Sequence, residues 1–136
     1  MDITMDVEYA GNLRTRAIHG PSGAELQTAA PVDNHGDGSS FSPTDLFATS
    51  LATCTLTIMA IAARRLGRDL DGARARVTKV MSAGAPRRIV RLPVTITLPS
   101  GVPVAMREAL EEAARACPVH ASLRADLEAP ITFVWE

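Results

Sequence analysis

The feature that most constrains the fold is a long apolar segment between Ser42 and Gly67. Its start, Ser42-Pro43-Thr44-Asp45, combines an N-cap serine, a proline at the first helical position and an acid at the third, which is close to a capping box. The segment is small or apolar nearly all round until about Leu66, which is typical of a buried helix. Its length reaches the lower limit for a transmembrane helix, but serine and threonine dilute it. We therefore predict a core helix and no membrane association.

The residues before this helix predict a β-meander. Three short segments, Ile3 to Ala10, Leu13 to His19 and Ala24 to Thr28, are separated by turn-forming residues. Gly11-Asn12 is a two-residue hairpin signal, because both residue types tolerate a positive φ. Side chains alternate along a strand, so Arg14 and Arg16 are predicted to share one face. The polar, glycine-rich stretch 33–40 is predicted to be a mobile loop.

The second half of the chain predicts two long strands, then helices and a final strand. The strand patterns are 73–81 and 87–98, with a hairpin near residues 84–86 and Pro93 marking an edge or a bulge. Pro103 precedes an amphipathic helix to about Ala116, a short helix is predicted over 118–123, and a strand over 131–135. We therefore predict a single α+β domain over residues 1–136.

Composition narrows the functional classes. The net charge is -1, with 46% hydrophobic and 21% charged residues, so no basic surface argues for nucleic acid binding. The N-terminal residues 1–10 carry acids where a signal peptide needs basic residues. We expect a cytoplasmic protein. Two cysteines are too few for a disulfide scaffold there, so burial, metal binding or redox chemistry are their alternative roles.

The two cysteines differ in their local sequence. Cys54 lies within the apolar helix, where the simplest interpretation is a small hydrophobic core residue. Cys117 directly precedes Pro118, which is predicted to start a helix, and a helix N-terminus stabilises a thiolate. The two cysteines form no CxxC motif, so only the fold can bring them together.

Metal, nucleotide and serine-hydrolase sites have little support. Structural zinc sites use short paired spacings, and Cys117 with His120 is one such pair at best. The other histidines are His19 and His35. The chain has no glycine-rich phosphate motif and no G-x-S-x-G motif.

Two motifs resemble the OsmC/Ohr family of proteins. Ser42 to Cys54 (SPTDLFATSLATC) resembles the first-cysteine helix of that family, and Cys117 to Leu123 (CPVHASL) resembles its second-cysteine motif. Leu98 to Gly101 precedes a predicted helix, which is its expected place in the order of the family's segments. The turn at residues 11–14 and the following residues 21–23 resemble the family's opening hairpin. The resemblance covers essentially the whole chain and is closer to the broad OsmC-like branch than to the dedicated Ohr branch.

The resemblance implies a fold and an activity. The fold is an intertwined homodimer of α+β subunits with antiparallel sheets around a long central helix. The activity is that of a thiol peroxidase acting on organic hydroperoxides, in which Cys54 becomes a sulfenic acid and Cys117 resolves it as a Cys54–Cys117 disulfide. An external dithiol would reduce that disulfide. No metal, flavin or haem cofactor is implied.

The resemblance also implies roles for an arginine and an acid. Arg14 follows the hairpin turn where the family places its arginine, and its charge would stabilise the Cys54 thiolate; Arg16 is the reserve candidate. Asp45 stands near the family's acidic partner of that arginine, where a glutamate is expected. On a straight helix Asp45 lies nearly opposite Cys54 and about 13 Å along the axis, so it would act only by orienting the arginine. Its capping role explains it equally well.

Two other functions remain open from the sequence alone. One is a non-catalytic protein of the same fold that binds small apolar ligands or senses oxidation. The other is a structural dimerisation module whose cysteines fill the core. An activated Cys54 would react with an alkylating reagent well below about pH 8, whereas a core cysteine would not.

Overall fold

The computed structural model describes all 136 residues, which form two compact units, residues 1–46 and 47–136. The N-terminal unit contains a three-stranded antiparallel meander in the order β1-β2-β3. Its strands are β1 (Met5–Gly11), β2 (Arg14–His19) and β3 (Glu25–Ala29). The predicted meander is therefore confirmed. A short 3-10 turn, Val32–Asn34, follows and overlaps the start of the predicted loop.

The first hairpin turn lies one residue later than predicted. Gly11 pairs with Arg14, so the two turn residues are Asn12 and Leu13, with φ of 55° and 60°. A positive φ is unusual for leucine. Leu13 is held by both of its backbone groups: its N–H donates to the Tyr9 hydroxyl at 3.1 Å, and its carbonyl accepts from Ala30 N–H at 3.0 Å. This turn makes Arg14 the first residue of β2.

Helix α1 (Pro43–Arg65) confirms the predicted long helix and its ends. Gly67 follows the last turn with φ of 75°, and its N–H donates to the Arg64 carbonyl at 3.0 Å, which is a common helix ending. By length and composition alone α1 is apolar enough to cross a membrane, a property that core helices share.

The C-terminal unit packs small sheets and two helices against one side of α1. A three-stranded sheet has the order β4-β7-β8, and a separate hairpin pairs β5 with β6. The elements are β4 (Arg74–Val77), β5 (Val80–Met81), β6 (Ile89–Arg91), β7 (Val94–Leu98), α2 (Val104–Arg115), α3 (Pro118–Ala121) and β8 (Ile131–Trp135). The predicted second helix and final strand are confirmed, and the short helix is two residues shorter than expected.

Two strand predictions for this unit were wrong in detail. Each predicted long strand is divided in two, and the second divides at Leu92 and Pro93. Proline has no N–H for a sheet, and on either side of it Leu92 and Val94 donate instead to the carbonyls of Glu128 and Pro130. The sheets are also not all antiparallel, because β8 runs parallel to β7.

Helix α1 is buried on one side only within a single chain. Leu51, Met59 and Ala63 are fully buried in a cluster that includes Ile96 and Leu110 from β7 and α2. Burial of each large side chain contributes about 2 kcal/mol to stability. The opposite side leaves apolar residues in solvent, so within one chain only part of the predicted core helix is buried. Those residues include Phe47 (45% exposed) and Ile61 (43% exposed).

Candidate active site

Cys117 forms the N-cap of α3. Pro118 at the first helical position excludes Cys117 from the helical region, so Cys117 is extended (φ -63°, ψ 139°). Its sulfur accepts a hydrogen bond from the His120 N–H at 3.3 Å. The side chain is fully buried in the core. The prediction that Cys117 stands immediately before a helix is confirmed, and its sulfur takes the place of the usual capping oxygen.

Cys54, on α1, lies close to Cys117. The two cysteines are unbridged, and their thiols are near enough for Cys117 to raise the pKa of Cys54, although they are far apart in sequence. Cys54 is partly exposed, whereas Cys117 is inaccessible. The backbone N–H of Val119 lies close enough to the Cys54 thiol to lower its pKa. Backbone N–H groups of the α3 segment therefore act on both sulfurs: His120 bonds to Cys117, and Val119 favours the charged form of Cys54.

The surroundings of Cys54 favour its protonated form. Burial is the main cause that raises the pKa of this thiol above its usual value. The N–H of Val119 lowers the pKa, and the nearby Cys117 raises it further, because two neighbouring thiolates repel. Cys54 is therefore mostly a thiol at neutral pH unless a cation stabilises its charged form.

An apolar cleft lies beside the cysteine pair. It has a volume of about 220 Å³ and is lined by Phe47 of α1 and by four residues of the α3 region, namely Pro118, Val119, Ser122 and Leu123. Val119 belongs to this cleft and also lowers the pKa of Cys54. Phe47 lies seven residues before Cys54, so both are on one face of the helix. Neither cysteine lines the cleft, so Val119 is the residue that links it to the surroundings of the Cys54 thiol.

Arg14 lies in the N-terminal unit, where its guanidinium is bound through one nitrogen. Nη2 donates to Asp37 Oδ2 at 3.0 Å and to Ser39 Oγ at 2.6 Å. Nε and Nη1 make no hydrogen bond, and the side chain is 37% exposed. Three N–H groups of Arg14 are therefore available to another group.

Arg16, the reserve candidate, has a carboxylate partner at each of its three side-chain nitrogens. Its Nε and Nη2 both donate to Glu25, and its Nη1 donates to Glu8 at 2.9 Å. These two carboxylates raise the pKa of Arg16 further above its usual value, and Arg16 in turn lowers that of Glu25. The charge of Arg16 is balanced within its own sheet.

Asp45 caps helix α1. Its carboxylate accepts from the Ser42 N–H at 2.9 Å, and its own N–H donates to Ser42 Oγ at 3.1 Å. These two reciprocal bonds form the predicted capping box. The carboxylate that pairs with Arg14 is Asp37, for which no role was predicted from the sequence.

Several site residues have only a weak signal in the sequence. Asp37-Gly38-Ser39 is typical of a turn in which the acid bonds to the N–H two residues later, and this signal was available. The roles of Val119 and Phe47 depend on tertiary contacts with Cys54 and could not be found locally. No group of three or more His, Cys, Asp or Glu side chains is placed to hold a metal ion.

Comparisons with known proteins show the family to which the chain is similar. The model of the OsmC-like protein family matches residues 36–131. A structure from Psychrobacter arcticus 273-4, provisionally named an osmotic stress induced and detoxification response protein, is 44% identical, with 98% of this chain and 95% of that chain covered and a TM-score of 0.88.

More distant structures share the fold. The organic hydroperoxide resistance protein OsmC of Legionella pneumophila is 18% identical, covers 98% of this chain and 97% of its own, and has a TM-score of 0.73. An organic hydroperoxide resistance protein of Elizabethkingia anophelis is 14% identical, with 100% of this chain and 97% of that chain covered and a TM-score of 0.78. No match emerged among curated proteins. The family model and the Psychrobacter structure together show that this chain belongs to the OsmC-like protein family.

Proposed function

We propose that this protein is a thiol-dependent peroxidase that reduces organic hydroperoxides to alcohols. The observation that carries the proposal is the proximity of two reduced cysteines, one partly exposed and one buried, beside an apolar cleft. The proposal is supported by membership of the OsmC-like family. It is also supported by the names of the Legionella and Elizabethkingia proteins, which are called organic hydroperoxide resistance proteins.

The proposed reaction uses each cysteine once. The Cys54 thiolate attacks one peroxide oxygen, the O–O bond breaks, and the alkoxide takes a proton and leaves as an alcohol, while Cys54 becomes a sulfenic acid. Cys117 then attacks that sulfur, which forms a Cys54–Cys117 disulfide and releases water. Their proximity means that the second step needs little movement of the chain.

The catalytic cycle closes with an external reductant. A dithiol attacks the disulfide by thiol–disulfide exchange, which restores both thiols and oxidises the dithiol. We propose a cytoplasmic location, because a reducing compartment keeps such a dithiol available. Cell fractionation tests this: a protein recovered outside the cytoplasm would contradict it.

Arg14 is the cation that we propose for Cys54 activation. The raised pKa of Cys54 means that the reaction needs a positive charge near the sulfur. Arg14 has three unbonded N–H groups, whereas Arg16 has engaged its guanidinium with two glutamates. A planar guanidinium can contact both a thiolate and a peroxide oxygen.

We propose that two copies of the chain form a homodimer through α1. Phe47, Cys54 and Ile61 are spaced seven residues apart, so they lie along one face of the helix, and the first and last expose large apolar side chains. An exposed apolar stripe of this kind is typical of an interface. A second copy would cover it and bury the Cys54 site.

The dimer prediction can be tested by mass. Sedimentation equilibrium at micromolar concentration should give twice the 14.4 kDa chain mass. Ile61→Glu should give the single-chain mass with an unchanged circular dichroism spectrum, because this residue lies in solvent in the isolated chain. A Glu112→Gln variant, on the exposed side of α2, serves as a control and should remain dimeric. A monomeric wild-type protein would contradict the proposal.

The cleft predicts which peroxides react fastest. Cumene and tert-butyl hydroperoxide should have a kcat/KM at least about tenfold above that of hydrogen peroxide, because each buried carbon group contributes about 0.8 kcal/mol of binding. A dithiol-coupled assay with all three peroxides measures this. Phe47→Ala should reduce the preference by removing one wall of the cleft. Equal rates for hydrogen peroxide and cumene hydroperoxide would contradict the proposed role of the cleft.

A second candidate is a non-catalytic protein of the same fold that binds small apolar ligands. The raised pKa of Cys54 is the observation that favours it, because a protonated thiol is a poor nucleophile. The same peroxidase assay separates the two candidates, since the binding protein would retain an apolar ligand and turn over no peroxide.

A further inference from the structure

The sheet formed by β4, β7 and β8 has a polar outer face. Three alternate residues of β7 are buried in the core: Val94, Ile96 and Leu98. The residues between them, Thr95 and Thr97, therefore point outward. In the antiparallel pairing with β4, Arg76 is opposite Thr95 and Arg74 is opposite Thr97. Two guanidinium groups and two hydroxyls thus start from one patch, about 5 Å apart across the strands and about 7 Å apart along them.

This patch lines a cavity of about 340 Å³. The cavity is bounded by the two arginines, the two threonines and Ala75 of β4. Its volume is within the range of small-molecule sites, about 300–1,000 Å³. None of the five lining residues is aromatic, so the bases of a single-stranded nucleic acid would have no ring on which to stack. The cavity therefore suits a small polar ligand.

Arg76 has no counter-charge in the structure. The strands of the C-terminal unit contain three arginines, and the other two are paired: Arg74 donates to Glu136 at 2.7 Å, and Arg91 lies 3.4 Å from Glu128. Arg76 is exposed and makes neither an ion pair nor a hydrogen bond. The C-terminal unit has twelve basic and eight acidic residues, so it carries a surplus of positive charge. An anion at this patch would meet one unpaired guanidinium and a second that is shared with Glu136.

The patch offers more hydrogen-bond donors than a carboxylate can use. Arg76 has five N–H groups, and Arg74 spends only Nη2 on Glu136. The hydroxyls of Thr95 and Thr97 make no hydrogen bond within the chain. A carboxylate has two oxygens and one charge, whereas a phosphate ester has three terminal oxygens and up to two charges. An arginine fork can bind two phosphate oxygens at once. The donor set therefore fits a phosphate group better.

We propose that this outer face binds the phosphate group of a small, water-soluble phosphate ester. Arg76 binds two phosphate oxygens through its planar fork, and the Thr95 hydroxyl opposite it donates to the third. Arg74 and Thr97 supply further donors next to the phosphate, toward the carbon part of the ester. The core that contains Cys117 lies on the other face of the sheet, so this site goes beyond the proposed peroxidase function and does not depend on it.

Protection of a sheet edge is the alternative role for these arginines. Strand β4 is at the edge of its sheet, and charged side chains on an edge strand hinder pairing with another chain. That role needs positive charge but no ligand. It predicts that Arg76→Gln aggregates and that the wild-type protein binds no phosphate, so the two roles give different results.

The test is a titration of the reduced, full-length, 15N-labelled protein with inorganic phosphate and with glycerol 3-phosphate at constant ionic strength. Saturable shifts should be confined to amides near residues 74–76 and 95–97. Arg76→Gln should raise both dissociation constants at least about tenfold, because a charge-assisted pair is lost. Arg76→Lys should retain part of the affinity, since it keeps the charge without the fork. Thr95→Val should raise the dissociation constants about threefold by removing one hydroxyl.

A matched variant separates the site from general charge attraction. Arg68→Gln removes an equal charge from the exposed segment after α1, and it should leave both dissociation constants at their wild-type values. Arg76→Gln should keep the wild-type kcat/KM for cumene hydroperoxide. Shifts spread over many surface amides, or equal affinities in Arg76→Gln and wild type, would overturn the site. Recovery of the protein on phosphatidic acid vesicles with no response to glycerol 3-phosphate would also overturn it, and aggregation of Arg76→Gln without any phosphate binding by wild type would assign the arginines to edge protection.

Discussion

Peroxide turnover by the Cys54→Ser variant is expected to fall about 1000-fold or more, because the reaction loses its nucleophile. Cys117 cannot substitute for it. Its side chain is fully buried, and its sulfur is already bonded to the His120 N–H. A dithiol-coupled assay with cumene hydroperoxide measures the loss, and the circular dichroism spectrum should remain that of wild type because serine is close to cysteine in size.

Cys117→Ser should fail at a different step. One equivalent of peroxide should still oxidise Cys54, but no disulfide can form, so the sulfenic acid should persist and be trapped by dimedone. Mass spectrometry of the labelled peptide locates the adduct. The expected result is one adduct on Cys54 in Cys117→Ser and none on Cys117 in Cys54→Ser. Dimedone labelling of Cys117 in the latter variant would show that the two roles are reversed.

The ends of the elements were predicted well where a local residue type determines them. Ser42 and Asp45 cap α1 through bonds within one turn, and Gly67 ends the helix with its own positive φ. Pro118 likewise makes Cys117 an N-cap by direct steric exclusion. These signals lie within four residues of their effect, so sequence is sufficient for them.

The predictions that failed depend on distant parts of the chain. The division of the strand over 87–98 follows from hydrogen bonds to Glu128 and Pro130, and β7 has a parallel partner, β8, that lies more than thirty residues later. The exposed side of α1 had the same apolar residue types as its buried side. The pattern of apolar residues along a segment therefore predicts a helix or a strand, but it does not show which other segment packs against it.

The residues of the candidate site were predictable where a local sequence signal marks them, and not where they depend on tertiary contacts. The cysteines were found because each lies in a recognisable local context, and their proximity to each other follows from the packing of α3 against α1. The acid was assigned to Asp45 by position in a motif, whereas the hydrogen bonds of Arg14 lead to Asp37. Asp37 lies in a loop 23 residues after Arg14, and a contact of this kind leaves no periodic signal in the sequence.

Arg14→Ala should raise the pH at which Cys54 becomes reactive. Burial holds the pKa of Cys54 above its usual value, and a nearby cation favours the charged thiolate and so lowers that pKa. Removing the cation must move the pKa upward, and each unit of increase reduces the thiolate fraction at neutral pH about tenfold. The variant also loses a donor to the departing peroxide oxygen. We therefore expect a decrease of about 100-fold in the rate of Cys54 oxidation at pH 7.

The variants at Arg14 and Arg16 together identify the responsible group. Arg14→Lys should recover part of the rate, because lysine restores the charge but not the planar fork that contacts two atoms. Arg16→Ala removes an equal charge from the same strand, and it should leave the alkylation profile of Cys54 unchanged, since Glu8 and Glu25 already balance Arg16. The measurement is the pH dependence of iodoacetamide alkylation in the dimeric protein. A shift in Arg16→Ala with none in Arg14→Ala would transfer the role to Arg16. A high midpoint in wild type, unchanged in every variant, would instead favour the non-catalytic ligand-binding function.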